Sequence, residues 1–200
     1  MIAIVNYKMG NLRSVENALS RLGADFKVTE NAEVIKNADR VLLPGVGHAA
    51  EAMNNLSEAG LTDIIRNLRC PVLGICVGMQ VMCRHSEEGN TGCLGIFDAR
   101  VKRFHPSVTE KVPHMGWNYI EIVNKNIPIV KNLEQRQRYY FVHSYHAKCD
   151  NVDNILMTCE YGYSFAAAVV KEKVYGVQFH PEKSHQFGML LLKNFVEECS

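Results

Sequence analysis

Apolar residues in the first half of the chain follow two alternating spacings. Ile2–Val5 is a continuous apolar run, whereas Leu12, Val15, Leu19 and Leu22 recur every three or four residues. A short run is typical of a buried strand, and the longer spacing is typical of a helix that buries one face. The order of strand and then helix predicts a parallel sheet covered by helices.

The same order continues along this half of the chain. Apolar strands are predicted at Arg40–Leu43 and Val72–Ile75, and a helical stretch from about Ala49 to Leu68 lies between them, with a break near Gly60. Repeated strand–helix units build a doubly wound sheet, in which binding sites gather beyond the carboxyl ends of the strands. Residues at these strand ends are therefore the first candidates for a functional site.

Beyond Arg84 the pattern changes to shorter alternations of apolar and polar residues. Residues His85–Gly92 are polar and predict turns, and a helix is predicted from about Ser184 to Glu198. Strands are predicted between them at Ala99–Phe104, Tyr119–Val123, Tyr139–Tyr145, Ile155–Cys159, Phe165–Val170 and Val174–Phe179. Such alternation favours an antiparallel or mixed extension of the sheet. We expect an α/β fold of three layers in one domain over residues 1–200, with a mixed, mostly parallel central sheet and flanking helices.

The charged residues are nearly balanced, with 22 Lys and Arg against 21 Asp and Glu and a net charge of +1. This balance gives no broad basic field, so a nucleic-acid partner is not expected. No apolar stretch approaches the ~20 residues of a membrane span, and the chain begins as a strand without a basic leader. The seven cysteines show neither CxxC nor zinc-site spacing. We expect a reduced, cytoplasmic protein without a metal or a membrane partner.

Cys76 is the strongest candidate for a reactive residue. It follows the predicted strand Val72–Ile75, with Gly74 and Gly78 on either side and Gln80 beyond, in the pattern G-x-C-x-G-x-Q. Small neighbours are typical of a nucleophile held at a sharp turn from strand to helix. The start of the following helix favours the thiolate, which is the reactive form. A buried structural cysteine is the alternative, but this pattern arises by chance in about one chain in a thousand.

A general base for Cys76 is predicted at the end of another strand. The strand Val174–Phe179 leads into His180-Pro181-Glu182. Pro181 favours an extended His180, and side chains two residues apart in an extended chain project to the same side. Glu182 would then hold one imidazole nitrogen while the other faces Cys76. A solvated surface histidine is the alternative reading of His180 taken alone. Together the three residues predict a Cys76, His180, Glu182 triad.

Developing negative charge on a substrate needs hydrogen-bond donors. Pro44 and the three residues after it, Gly45, Val46 and Gly47, follow a buried strand, and the glycines let backbone N–H groups approach a ligand closely. This turn would supply one oxyanion donor, and the N–H of Val77 would supply the other. A P-G-V-G sequence by itself is more often simply a turn.

These motifs together resemble the class I, or triad, glutamine amidotransferases, which hydrolyse glutamine and deliver ammonia to a synthase. Within that class the chain is most similar, over its whole length, to the glutaminase subunits of imidazole glycerol phosphate synthase, which serve histidine biosynthesis. The segments that carry the resemblance are Gly74–Gln80, Pro44–Gly47, Asn6–Leu12, Pro113–Asn118, Tyr140–Tyr145 and Pro181–Ser184. The resemblance implies a flavodoxin-like core and no cofactor.

The resemblance also implies a role for each site residue. Cys76 would attack the side-chain amide of L-glutamine to form a thioester, and His180, oriented by Glu182, would protonate the departing ammonia and then activate water. The residues implied to hold glutamine are Gly47, Gln80, Ser144 and Tyr145. In the family the P-G-V-G strand reorients before its N–H reaches the oxyanion. Val77 stands where the family usually has leucine, and only its N–H is required.

The partner implied by the resemblance is a (β/α)8-barrel cyclase subunit, which would form a heterodimer with this chain and receive the ammonia. Trp117 is the lone tryptophan, and the resemblance makes it an interface residue rather than a core aromatic. The residues implied to face the partner are Asn11, Met115, Trp117, Asn118, Tyr140 and Lys183.

Two other functions fit parts of the sequence. One is a glutaminase of another pathway, or a Cys–His hydrolase of a different γ-glutamyl compound; the segment Pro113–Asn118 argues against it. The other is a regulatory subunit that has lost its chemistry, although every triad position is filled.

Overall fold

The computed structural model describes residues 1–105 and 111–199. Within them, hydrogen bonds join thirteen strands into one sheet. The strands are β1 Ile2–Val5, β2 Phe26–Thr29, β3 Arg40–Gly45, β4 Val72–Cys76, β5 His85–Ser86, β6 Thr91–Gly92, β7 Ala99–Arg103, β8 His114–Ile122, β9 Arg138–His143, β10 Tyr145–Cys149, β11 Ile155–Glu160, β12 Ser164–Lys171 and β13 Val174–Val177. The helices are α1 Leu12–Arg21, α2 Ala32–Lys36, α3 Ala49–Glu58, α4 Thr62–Arg66, α5 Val77–Val81 and α6 His185–Glu197.

The parallel part of the sheet has the order β2-β1-β3-β4-β13. Every residue of β1 and β4 is buried. Continuous apolar strands of this kind arise where helices cover both faces of a parallel sheet. β4 lies between β3 and β13, so the strand that ends at Cys76 is central and is held by a hydrogen-bonded ladder on each side.

The second half of the chain extends this sheet with antiparallel strands. β13 pairs with β12, which pairs with β10, and β10 pairs with β7. A branch runs from β12 through β11 and β8 to β9. The branch carries β8 and β9 back towards the carboxyl ends of the parallel strands. A hydrogen bond shows this position: the carbonyl of Tyr140, on β9, accepts the N–H of His180, which follows β13, at 2.9 Å.

The helices pack in two groups. α1 contacts α6, whereas α3 contacts both α4 and α5, and α2 contacts α4. The strand order explains the division, because the chain moves one way from β1 to β2 and the other way from β2 to β3. Right-handed crossovers in opposite directions place their helices on opposite faces of a sheet. The result is the predicted α/β arrangement of a mixed central sheet with flanking helices. The sheet is not mostly parallel as predicted, because among the described residues five strand pairs are parallel and seven are antiparallel.

The break predicted near Gly60 is present: the helical stretch predicted from Ala49 to Leu68 forms α3 and α4, and Gly60, with φ +67°, follows the end of α3. Two predicted strands have different limits in the structure. The strand predicted from Tyr119 begins five residues earlier, at His114, and the strand predicted over Tyr139–Tyr145 divides into β9 and β10 at Ser144.

Other elements were not predicted. β2 and α2 are only four and five residues long, too short for a clear periodicity. Residues His85–Gly92, predicted as turns, contain the two-residue strands β5 and β6 around a tight turn. Over residues 1–105 and 111–199, none of the helices combines the length and apolar character needed to cross a membrane.

Candidate active site

Cys76 sits at the sharp turn that the sequence predicts. It is the last residue of β4 and caps α5, with φ 54° and ψ −112°, a region that residues other than glycine rarely adopt. A Cβ on Gly78 would overlap the Leu43 carbonyl oxygen, and one on Gly74 would lie 2.8 Å from the Met79 nitrogen. Both glycines are therefore needed for the helix to start this close to the sheet.

The carboxyl ends of β3 and β4 enclose a cavity of about 150 Å³ beside Cys76. Gly45 is paired with Cys76 in the parallel ladder, so the turn that follows Gly45 forms the cavity wall. Seven of the predicted site residues line this cavity: Val46, Gly47, Cys76, Val77, Gln80, Ser144 and Tyr145. Three residues that were not predicted, Glu88, Val142 and His143, line it too.

The predicted base and its orienting carboxylate are buried together. His180 Nδ1 is 2.8 Å from Glu182 Oε1, and both side chains are 2% exposed. The local backbone differs from the prediction, because Pro181–Lys183 forms a 3₁₀ turn rather than an extended strand. His180 itself is extended, with φ −100° and ψ 96°, as Pro181 requires. The turn brings the carboxylate back onto the imidazole.

His180 is held firmly in place by its backbone. Its N–H donates to the Tyr140 carbonyl at 2.9 Å, and its carbonyl accepts the Ser184 hydroxyl at 2.6 Å. The same hydroxyl oxygen accepts the Tyr140 N–H at 3.0 Å. Ser184 therefore ties the His180 turn to β9. Among the described residues, the buried Nε2 of His180 has no hydrogen-bond partner, and it remains available to a reacting group.

The charge of the His180 imidazole is governed by opposing effects. Burial alone would lower the pKa of the imidazole, but interactions with Cys76 and Glu182 outweigh burial and raise the pKa from 6.5 to about 9. A protonated imidazole is therefore favoured at neutral pH. A cation beside Cys76 favours the nucleophilic form of the sulfur, and the same imidazolium can protonate a leaving group.

The turn after β3 ends in a glycine that an oxyanion donor could use to reorient. Gly47 is exposed and has φ +102°, a value that glycine adopts without strain. Behind the turn, a Cβ on Gly10 would lie 3.2 Å from the Pro44 oxygen, so the loop before α1 packs directly on this turn. Tyr7, on the same loop, is buried with its hydroxyl near Gly45.

A model of the family described as "Glutamine amidotransferase class-I" matches residues 3–199. The chain belongs to the class I glutamine amidotransferases. Among similar proteins, Imidazole glycerol phosphate synthase subunit HisH 2 of Methanococcus maripaludis is 46% identical over 203 residues, covering 100% of both chains. The subunit HisH of Bacteroides fragilis is 48% identical over 197 residues, covering 98% of each chain.

Solved structures agree with this membership at the level of the fold. A crystal structure titled as a glutamine amidotransferase has a TM-score of 0.76 and 20% identity, covering 98% of both chains. PurLQS from Thermotoga maritima has a TM-score of 0.72 and 16% identity, covering 100% of this chain and 98% of that chain. This amidotransferase therefore has the α/β fold of its class.

The residues predicted to face a partner lie mostly together on this amidotransferase. Met115, Trp117 and Asn118 line one shallow depression on β8. The Trp117 and Tyr140 ring centroids are 5.9 Å apart, and Lys183 Nζ lies 5.8 Å from the Tyr140 ring. Met115 is 62% exposed and Trp117 37% exposed. Trp117 is therefore not a core aromatic.

Asn11 is the predicted partner residue with a clear structural task. Its Oδ1 accepts the Ser14 N–H at 3.4 Å and caps α1. α1 packs on the 3₁₀ turn that carries Lys183. A His185 ring also stacks on Trp117, with centroids 4.8 Å apart, so the exposed aromatic patch of this amidotransferase continues onto the start of α6.

Sequence reasoning missed three side chains around the nucleophile of this amidotransferase. Glu88 lies in the polar segment that was predicted only as turns, and it reaches the cavity because β5 and β6 form a hairpin. Gln178 was included in a strand without a role, yet its Nε2 lies 3.6 Å from Cys76 Sγ. The available signal was that Gln178 is a polar residue within a predicted apolar strand, two positions before His180. Burial, together with Cys76, raises the pKa of Tyr7 well above its ordinary value.

Proposed function

We propose that this chain is the glutaminase subunit of an imidazole glycerol phosphate synthase. It hydrolyses L-glutamine to glutamate and ammonia through Cys76, His180 and Glu182, and passes the ammonia to a cyclase subunit. One observation carries the chemistry: His180 is fixed by Glu182 at 2.8 Å, and its Nε2, which has no hydrogen-bond partner among the described residues, is left for a reacting group beside the buried Cys76. The names of relatives that are 46–48% identical over nearly the whole chain support the choice of synthase.

Glutamine would enter the cavity between β4 and the start of β10. Glu88 lines this cavity, and a carboxylate there suits the α-ammonium group of an amino acid. Its Oε2 accepts the Ala49 N–H at 2.7 Å, so the carboxylate is held by the start of α3. Gln80, Ser144 and Tyr145 supply amide, hydroxyl and backbone groups on the remaining wall.

The first half of the reaction forms a thioester. The Cys76 thiolate attacks the side-chain amide carbon, and the carbonyl oxygen becomes an oxyanion. The N–H of Val77 lies in the first turn of α5, where backbone donors have no partner within the helix, and it would stabilise this charge. The imidazolium of His180 then gives its Nε2 proton to the amine, the C–N bond breaks, and ammonia leaves.

The second half regenerates the enzyme. Neutral His180 takes a proton from water, and the resulting hydroxide attacks the thioester carbon. The C–S bond breaks, glutamate leaves, and the Cys76 thiolate again faces an imidazolium. Throughout both halves Glu182 holds Nδ1 of His180, so that Nε2 stays directed at the reacting groups.

The second oxyanion donor would be controlled by the partner. The turn Gly45–Gly47 would reorient to present the Val46 N–H, and Gly47 makes such a peptide rotation inexpensive. The loop that packs behind the turn includes Gly10 and leads directly into Asn11, a residue predicted to face the partner. A docked cyclase would thus reach the oxyanion site through one short loop.

The partner we propose is a (β/α)8-barrel cyclase in a heterodimer. Its docking surface is the exposed apolar face of β8, where Met115, Trp117 and Tyr119 are 62%, 37% and 51% exposed. Apolar residues grouped in this way on a surface are typical of a protein interface. We further propose that residues 1–200 form one glutaminase domain, which the continuous hydrogen-bonded sheet supports.

The test is glutamate release from L-glutamine by this chain alone, with the barrel cyclase, and with the cyclase plus its nucleotide ligand. We expect strong activation only in the ternary mixture. Cys76→Ala is the matched control, and it should abolish ammonia release while it still binds the cyclase. High activity of the chain alone would indicate an independent hydrolase. Activity in none of the mixtures would indicate a regulatory subunit or a different synthase.

A further inference from the structure

Gln178 lies between β13 and His180, and it is fully buried. Its Nε2 is 3.6 Å from Cys76 Sγ, within hydrogen-bonding distance of a sulfur atom, and its Oε1 is 3.0 Å from Gln80 Nε2. Neither the proposed triad nor the proposed oxyanion donors use this side chain. It nevertheless contacts the atom that begins the reaction.

The orientation of both amides follows from the backbone carbonyl of Tyr145. Gln80 faces this oxygen at 3.0 Å, and because a carbonyl can only accept, the facing atom of Gln80 must be its amide nitrogen. The same nitrogen also donates to Gln178, which therefore presents its oxygen to Gln80 and its nitrogen to Cys76. The sulfur thus receives a donor, which favours thiolate over thiol.

Two buried histidines extend the chain of hydrogen bonds from the Tyr145 carbonyl in the other direction, towards β8. His143 Nδ1 is 2.8 Å from the Tyr145 oxygen, so Nδ1 carries the proton and Nε2 accepts. His114 Nδ1 is 2.9 Å from His143 Nε2 and must be the donor. Burial lowers the pKa of His114 to about 4 and that of His143 to about 3, so both rings are neutral at neutral pH.

The outer end of this chain of hydrogen bonds is Asn118. Its Nδ2 lies 3.3 Å from His114 Nε2, the one acceptor left on that ring, and 2.8 Å from the Glu160 carbonyl. Asn118 is half-buried on β8, between the exposed side chains of Trp117 and Tyr119. Each link therefore has one assigned donor, and both halves of the chain converge on the Tyr145 oxygen.

We propose that Gln178 is a positioning residue, whose N–H holds the Cys76 sulfur and stabilises its thiolate. The hydrogen-bonded chain from Asn118 through His114 and His143 fixes the Tyr145 carbonyl, and that carbonyl orients Gln80 and Gln178. The nucleophile is thereby connected to the surface of β8. The importance of this hydrogen-bonded connection for glutamine hydrolysis rests on the proposed function. The effect of the connection on the Cys76 sulfur is independent of the proposed function.

Other groups also act on the Cys76 sulfur, and the test must separate them from Gln178. His180 faces it from the turn after β13, with Glu182 behind the imidazole. Tyr7 approaches from the loop after β1 and stays neutral, because its pKa is raised. Glu88 lines the same cavity from the β5–β6 hairpin. Variants that leave these four residues unchanged isolate the contribution of the amide.

The experiment measures the rate of Cys76 alkylation by iodoacetamide as a function of pH, with the modified peptide identified by mass spectrometry. Gln178→Met keeps the length of the side chain and removes the donor. Because a hydrogen bond to a charged group is stronger than one between neutral groups, we expect a pH midpoint about one unit higher and, at pH values below the midpoint, about tenfold slower alkylation. A folded Gln178→Met variant with an unchanged midpoint would overturn the proposal.

A double-mutant cycle tests the longer connection. His114→Phe should raise the midpoint in the native background and should have no further effect in the Gln178→Met background. His146→Phe is the matched control: His146 is buried near the same aromatic cluster but hydrogen-bonds Tyr163, at 2.7 Å, outside this chain. It should leave the midpoint unchanged. Additive effects of His114→Phe and Gln178→Met would refute the connection.

The alkylation readout keeps this proposal separate from the proposed function. Should the wild-type chain release no glutamate with any cyclase while Gln178→Met still shifts the midpoint, the proposed function fails and the role of Gln178 stands. Circular dichroism and thermal melting identify a variant that does not fold. In that event His114→Phe, which lies outside the cavity lining, decides alone: a raised midpoint supports the proposal and an unchanged one overturns it.

Discussion

His180 Nδ1 lies 2.8 Å from Glu182 Oε1, and Glu182 Oε2 has no hydrogen-bond partner among the described residues. Glu182→Gln retains the shape of this pair but can place an N–H against Nδ1, which forces the imidazole proton onto the wrong nitrogen. We expect kcat for glutamate release to fall on the order of 100-fold or more, with KM little changed. A KM change without a kcat change would contradict the orienting role.

Protonation of His180 should couple stability to alkaline pH. Its pKa is raised from 6.5 to about 9, because Cys76 and Glu182 outweigh burial. The folded chain therefore binds this proton more tightly, and the stabilisation is complete below about pH 6.5 and lost as pH rises through about 9. Relative to His180→Asn, the wild type should lose on the order of 3 kcal/mol of unfolding free energy across this range.

Urea denaturation of both proteins at several pH values from 6 to about 10 measures this difference. A constant difference between the two proteins would show that the His180 proton is not bound more tightly in the folded state.

His114 should couple stability to acid pH with the opposite sign. Its pKa is lowered to about 4 by burial, so the folded chain favours the neutral ring. The contribution of the neutral His114 ring to the free energy of unfolding is fully present above about pH 6.5 and is lost as pH falls through about 4. We expect His114→Phe, which keeps the stacking on Phe141, to flatten this acid loss in urea denaturation. An equally steep loss in the variant would assign it to other groups.

Gly78 should tolerate no side chain. A Cβ there would overlap the Leu43 carbonyl, which is backbone and cannot rotate away. We expect Gly78→Ala to lower the free energy of unfolding by more than about 3 kcal/mol or to prevent folding. Gly92→Ala is the matched control, because a Cβ at Gly92 meets nothing within 4 Å. Thermal melting of the two variants side by side gives the comparison, and equal melting temperatures would contradict the crowded turn.

Trp117 should anchor the cyclase. It is 37% exposed and stacks on His185, so a partner would bury a large, preorganised aromatic surface. We expect Trp117→Ala to weaken cyclase binding at least about tenfold, without changing Cys76 alkylation in the free chain. Val152→Ala, at a residue 71% exposed on the turn before β11, should bind normally. Calorimetric titration measures both variants, and equal affinities would remove β8 from the interface.

The sequence predicts the parallel half of the sheet well because its signals are local. The apolar run before Cys76 and the glycines around it describe one turn, and the structure contains that turn with Cys76 at φ 54°. Gly47, Ser144 and Tyr145 were placed by resemblance, and they line the same cavity as Cys76. Their roles in holding glutamine stay predictions.

The sequence could not predict the features of the site that depend on contacts between distant segments of the chain. Gln178 reaches Cys76 across 102 positions of the chain, and no spacing rule relates the two residues. The buried pair His114 and His143 is equally hidden, because histidine in an alternating strand suggests a surface position. Glu182 lies beside His180 as predicted, but the predicted reason was wrong, because a 3₁₀ turn rather than an extended strand brings the two side chains together.

Cys76 is 4% exposed and borders a cavity of about 150 Å³. That size selects among oxidants as well as among substrates. Hydrogen peroxide is small enough to enter, whereas oxidised glutathione is far larger than the cavity. The shape of the site therefore disfavours exchange of the Cys76 sulfur with large disulfides, a protection that an equally reactive cysteine on the surface would lack.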